Sequence, residues 1–138
     1  SALKLVDAEF GSTSDKWTAG VSLPGGDFPI DGVPQLRRDL ADALPFLQAS
    51  TIRRLIRQYG SEARQIFAEA ASPEALGIDF GCGIYQRELD WAIAQEWVYE
   101  ADDFLWRRSK LGLRISSDQR QAIEEYIVQA ISAKARVA

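Results

Sequence analysis

The sequence predicts an all-α fold of five to six amphipathic helices, preceded by an irregular connector rich in Gly, Ser and Pro. Apolar residues recur at i, i+3, i+4 and i+7 from residue 31 onward, and no stretch sustains the two-residue alternation of a half-buried strand. Pro and Gly fall between the apolar runs, where helices must stop, and Ser or Asp stands near their starts. The expected organisation is a connector over 1–30 and a helical domain over 31–138.

Residues 7–32 carry Gly11-Ser12-Thr13-Ser14-Asp15 and Leu23-Pro24-Gly25-Gly26-Asp27, which favour turns and extended chain. An irregular run of this length is uncommon inside a compact domain, so it is expected to pack on a neighbour, with Trp17 and Phe28 as anchors. Val33, Leu36, Leu40 and Leu44 form the first helical stripe, with Asp31 as N-cap and Pro45 as stop. Ser50 is expected to cap the next helix, whose stripe is Ile52, Leu55, Ile56 and Tyr59 and whose end is Gly60. Ser61 opens a third, with Ala63, Ile66, Phe67 and Ala70. Ser72-Pro73 starts a short helical turn that Gly77 closes, and Asp79 to Gly83 reads as a glycine-punctuated loop. The following helix places Tyr85, Leu89, Ala92, Ile93 and Trp97 on one side. Asp102 is expected to cap a helix through Phe104, Leu105 and Arg108, ended by Gly112 near Lys110. Ser116 and Gln119 fit a capping box ahead of Ile123, Tyr126, Ile127, Ala130 and Ile131.

Composition removes many functions. The 20 acidic residues exceed the 16 basic ones, giving a net charge of -4, which argues against general polyanion binding while leaving local basic patches open. The absence of histidine removes the usual general base, the Ser-His and Cys-His pairs and every zinc site that needs imidazole. The lone Cys82 cannot build a disulfide framework and fits a reduced cytosolic setting. No apolar run approaches the roughly 18–20 residues that span a bilayer. With Ser at position 1 and Leu3 to Val6 starting without a cap, the chain is expected to be a fragment of a longer protein.

The stretch from Glu96 to Leu113 holds two tryptophans, an acidic pair and a basic pair on a continuing amphipathic pattern. Glu96 falls on the stripe of Leu89, Ala92 and Ile93, and Arg108 on that of Ala101, Phe104, Leu105 and Leu111. Two opposite charges on inward faces of consecutive helices are expected to meet, because an unpaired buried charge costs several kcal/mol. The expected contact is a Glu96–Arg108 ion pair shared with Arg107, since the guanidinium fork takes a carboxylate bidentately. The other readings are a solvated charge cluster, or ligand binding by the arginines.

This same run, Glu96-Trp97, then Ala101-Asp102-Asp103-Phe104-Leu105-Trp106-Arg107-Arg108-Ser109-Lys110, resembles the C-terminal region of the aerobic, FAD-dependent glycerol-3-phosphate dehydrogenases. Trp17-Thr18 with Leu23-Pro24-Gly25-Gly26, Leu44-Pro45-Phe46-Leu47, Tyr59-Gly60-Ser61, Leu76-Gly77-Ile78-Asp79-Phe80-Gly81 and Tyr85 with Glu88-Leu89 follow in the family's order. The resemblance implies an all-α cap on an N-terminal FAD- and substrate-binding portion of the same parent chain. It implies a parent that oxidises glycerol 3-phosphate to dihydroxyacetone phosphate, peripheral at the inner face of the cell membrane, with quinone as electron acceptor; a homodimeric parent is compatible with it. No catalytic or flavin-binding residue of the family maps onto this sequence. The family's catalytic His has no counterpart, and neither Gly25-Gly26 nor Gly81-Cys82-Gly83 has the spacing and preceding strand of a dinucleotide turn. The chain alone is therefore expected to be inactive and to bind no cofactor and no metal.

Two other constellations compete with this reading. Glu100, Asp102 and Asp103 suggest a metal or acid–base site, but adjacent carboxylates at a helix start more often complement the helix dipole. The helix pair over 50–70, with Arg53, Arg54, Arg57 and Arg64 against Glu62 and Glu69, allows an independent interaction or nucleic-acid-binding module. Its local balance of +2 is modest for phosphate-backbone binding, and no nucleic acid is expected.

Overall fold

The computed structural model describes residues 9–11, 18–67 and 69–136. Helix α1 (Val33–Ala43) starts behind Gly32, without a side-chain cap from Asp31. Pro34 in its first turn lacks an N–H, so one fewer donor needs a cap. Leu44 lies just past the helix, fully buried, before Pro45 breaks the run. Helix α2 (Ala49–Tyr59) begins one residue ahead of Ser50, with Gln48 in the cap position, and buries Ile52, Leu55, Ile56 and Tyr59 as the spacing requires.

Gly60 ends α2 at φ 54°, and Ser61 N–H donates to the carbonyl of Gly25 at 3.0 Å. A Cβ on Gly60 would lie 1.9 Å from that carbonyl oxygen, so only glycine lets the two strands of chain touch. The described part of the connector thus docks on the turn between α2 and the short helix α3 (Glu62–Phe67). Phe28 sits half-buried beside this contact; Trp17 lies outside the described residues.

A 3-10 turn, Pro73–Leu76, closes the first core, in which Leu40, Leu44, Leu55, Tyr59, Phe67 and Leu76 pack together. The segment expected as a loop is instead an antiparallel hairpin of β1 (Asp79–Gly81) and β2 (Ile84–Tyr85), with Asp79 opposite Tyr85 and Gly81 opposite Ile84. Its strands are too short for a two-residue alternation to show in the sequence. Cys82 forms the tip at φ 54°.

Helix α4 (Gln86–Gln95) follows without a break and separates two apolar clusters. Tyr85 and Trp91 face the first core; Leu89, Ala92 and Ile93 face the second, with Phe80, Phe104, Leu105, Ile123 and Ile127. Trp97 does not extend this stripe. The helix stops at Glu96, Trp97 takes φ 55° and lies 78% exposed, and Val98 takes the buried place. The chain then winds into a π-helical turn, Asp103–Arg108, where Ser109 N–H reaches the Phe104 carbonyl at 2.8 Å. Lys110, at φ 60°, ends it rather than Gly112. Gly112 lies in the next 3-10 turn, Leu111–Leu113, and is small because the Trp106 ring occupies the space of its Cβ. Helix α5 (Ser117–Ala135) opens with the expected capping box, Ser116 and Gln119 satisfying each other's backbone N–H at 3.2 and 3.0 Å. Apart from the hairpin, the described chain is helical and turn structure, in keeping with the predicted class.

Candidate functional site

The most deeply placed charges lie between α2 and α4. Glu88 is fully buried at the start of α4, and Arg54 approaches it from α2 with both terminal nitrogens. Nη2 reaches Oε2 at 2.8 Å and also the Gly83 carbonyl at 2.7 Å, tying the hairpin into the same network. The Tyr59 hydroxyl donates to Glu88 Oε1 at 3.0 Å and accepts from Gln58 at 2.7 Å. Burial pushes the Tyr59 phenol far above its ordinary value, and the Glu88 carboxylate pushes it further. For Arg54 burial acts downward, but the Glu88 carboxylate more than offsets it and holds the guanidinium above its usual value. Both groups are therefore locked in one protonation state near neutral pH. Such an arrangement holds elements in place; it does not move protons.

In front of this lock opens a cleft of about 660 Å³, walled by α2 from Ser50 to Gln58, the hairpin tip and the segment from Arg108 to Arg114. Arg53, Arg57, Arg108, Lys110 and Arg114 line it beside Arg54, and no carboxylate does. Arg108 donates to the Glu96 backbone carbonyl at 2.7 Å and Lys110 to that of Trp106, so neither is in a salt bridge with a carboxylate among the described residues. Cys82 also faces the cleft, its thiol bonded to the Arg114 carbonyl at 3.2 Å. Chemically the cleft offers guanidinium and ammonium donors and the hydroxyls of Ser50 and Thr51.

The residues singled out in the sequence are redistributed by this geometry. Arg108 does reach residue 96, but through the main chain; the Glu96 carboxylate is in no salt bridge among the described residues, and its Oε2 is buried without a partner. Burial raises the Glu96 carboxyl above the ordinary carboxylate value, the Arg108 charge opposing that only in part. Arg107 turns instead to Asp103, at 2.7 Å. Asp102 caps nothing: its own backbone is already helical, and its carboxylate pairs with Arg120 at 3.0 Å on the surface. Asp103 takes the capping role, accepting from Tyr99 N at 3.1 Å and Glu100 N at 3.3 Å. The carboxylates of Glu100, Asp102 and Asp103 form no metal cluster, and no group of three or more potential ligands converges among the described residues.

The sequence matches, over residues 16–135, the family described as the C-terminal domain of alpha-glycerophosphate oxidase. The chain belongs to this family. It is 34% identical to the aerobic glycerol-3-phosphate dehydrogenase of Escherichia coli (strain K12), over 93% of this chain and 25% of that protein. It is 35% identical to the glycerol-3-phosphate dehydrogenase of Pseudomonas aeruginosa (strain PAO1), over 92% of this chain and 25% of that protein. A third relative, 30% identical over 83% of this chain and 23% of its own length, is the D-erythritol 1-phosphate dehydrogenase of Brucella abortus (strain 2308). The chain thus spans about a quarter of the length of the curated relatives it matches.

Within the alpha-glycerophosphate oxidase C-terminal domain, the glycines gain structural roles that do not fit a dinucleotide. Gly25 is held against the α2–α3 turn, and Gly81 and Gly83 flank a hairpin tip with Gln119 and Thr51 packed where their Cβ atoms would be. Neither place is a turn from strand into helix: Gly81-Cys82-Gly83 joins the two strands of the hairpin, and no strand precedes Gly25-Gly26 among the described residues. Of the residues that matter most here, Glu88 was detectable: a glutamate three residues from Tyr85 and from Trp91 lies on a helix face that packs. Arg54 carried no such signal, being one of three arginines on one helix.

Proposed function

We propose that this chain is the helical cap of an enzyme that oxidises a polyol phosphate, with glycerol 3-phosphate as substrate and dihydroxyacetone phosphate as product. FAD is the parent's cofactor in this reading and a membrane quinone its electron acceptor, with the parent peripheral at the inner face of the membrane. The observation that carries it is the match of residues 16–135 to a C-terminal domain found at the end of such enzymes. The relatives named for glycerol 3-phosphate and erythritol 1-phosphate support a phosphorylated polyol as the substrate class. The cap itself contributes packing, with no His, no dinucleotide turn and no step of the oxidation assigned to it.

The test compares the purified chain with its full-length parent. Incubated with FAD and desalted, the chain should stay colourless; given glycerol 3-phosphate and a quinone analogue, it should reduce none. The parent should retain the yellow flavin and reduce the quinone analogue. Flavin retention or substrate-dependent reduction by the chain alone would overturn the reading, as would a parent frame without a dinucleotide motif upstream.

A further inference from the structure

We propose that the cationic cleft between α2 and the Arg108–Arg114 segment binds a phosphate group carried by a small soluble molecule. In an acidic chain with 20 carboxylates against 16 bases, half of the twelve lining residues are cationic and none is anionic. Arg54 is neutralised behind the wall by Glu88, which leaves Arg53, Arg57, Arg108, Lys110 and Arg114 without a salt bridge among the described residues. Like charges gathered in one concavity repel each other, and an anion seated among them removes that cost.

The donor set selects the anion. Planar guanidinium forks give paired hydrogen bonds to phosphate oxygens, and an ammonium adds a point charge. The Ser50 and Thr51 hydroxyls and the uncapped first turn of α2, an 11-residue helix, supply neutral donors on the same wall. A phosphate dianion matches several cations at once; a monocarboxylate does not. The cleft's volume is that of a small-molecule site, within roughly 300–1,000 Å³. Its cations stand around a concavity instead of projecting from a flat face, which favours a free phosphomonoester over a lipid surface. The Arg54 lock, which ties α2 to the hairpin, and the Arg108 and Lys110 carbonyl bonds hold these side chains in place before any ligand arrives. The cleft is lined by this chain's own residues, so phosphate binding there is independent of the parent's reaction.

Calorimetric titration of the full chain with inorganic phosphate, at near-physiological salt, tests it. Saturable one-to-one binding is expected, and the pair Arg57→Gln/Arg114→Gln should weaken it by about tenfold or more, while acetate competes poorly. The charge-matched pair Arg37→Gln/Arg64→Gln, outside the cleft, should change it by less than about twofold. All four arginines are exposed, so each variant should keep the wild-type circular dichroism spectrum. Alkylation of Cys82, the only thiol in the chain and a cleft-lining residue, should slow in phosphate for wild type and not for the cleft pair. Absence of saturable binding would overturn the proposal, as would equal weakening by both pairs. So would association with vesicles of anionic phospholipid when inorganic phosphate neither binds nor competes.

Discussion

At the scale of single residues, energetic weight sits where a charge is buried with its partners. Removing Arg54 leaves Glu88 fully buried with only the Tyr59 hydroxyl. Arg54→Ala should therefore cost about 3–5 kcal/mol in urea unfolding, the usual range for orphaning one partner of a buried pair. The double variant Arg54→Met/Glu88→Gln, which keeps an acceptor for Tyr59 and removes both charges, should recover at least half of that loss. A double variant no more stable than Arg54→Ala would show that geometry, not the stranded charge, carries the cost. Glu96 is the opposite case, a carboxylate whose folded-state pKa is raised, so the folded state holds its proton more tightly than the unfolded one. Stability from this group is present at acid pH, falls as pH rises through the raised value, and becomes a constant cost above it. Glu96→Gln should raise the thermal midpoint at pH 7, and the gain should shrink toward zero below pH ~4. A gain independent of pH would place its origin outside this ionisation.

Secondary-structure elements here begin and end where backbone donors find partners. Asp103 holds two N–H groups ahead of the π turn, so Asp103→Ala should cost about 1–2 kcal/mol, whereas Asp102→Ala, losing a half-exposed pair with Arg120, should cost under about 1 kcal/mol. Equal losses would return the cap to Asp102. The difference between these neighbours was not legible in the sequence, because either Asp precedes the same apolar run. Gly60 was legible as a helix end but not as a docking point; its contact with Gly25 joins residues far apart in the chain. Gly60→Ala should cost about 2–3 kcal/mol, since the new Cβ meets a backbone oxygen and the φ is positive. Helical periodicity located α1 to α5, because each helix buries one continuous face. It missed the hairpin, whose strands are too short for a period, and it placed Trp97 on a stripe that a positive φ cuts short. The cleft was half legible: Arg53, Arg54 and Arg57 stand together in sequence, but Arg108, Lys110 and Arg114 join them only through the fold.

For the molecule as a whole, α4 is the shared wall of two cores that would otherwise be separate. Tyr85 and Trp91 belong to the first cluster, Leu89, Ala92 and Ile93 to the second, and Glu88 between them takes Arg54 from α2. Cooperative unfolding of the two clusters depends on that shared helix staying docked on both sides, because each cluster alone is smaller than a domain core needs to be. Trp91, packed against the first core, and Trp106, packed on Gly112 beside the second, provide a fluorescent reporter for each side. Variants retaining one of these tryptophans, with the others replaced by Phe, should unfold in urea at a common midpoint. In the Arg54→Ala background the α2–α4 tie is gone, so the first core should lose its clamp on α4 while the capping box and the α5 stripe still hold the second. The Trp91 midpoint should then fall below that of Trp106, and the transition should broaden. Coincident midpoints in that background would mean that apolar packing along α4 couples the cores by itself, leaving the Arg54–Glu88 pair to shape the rear wall of the cleft.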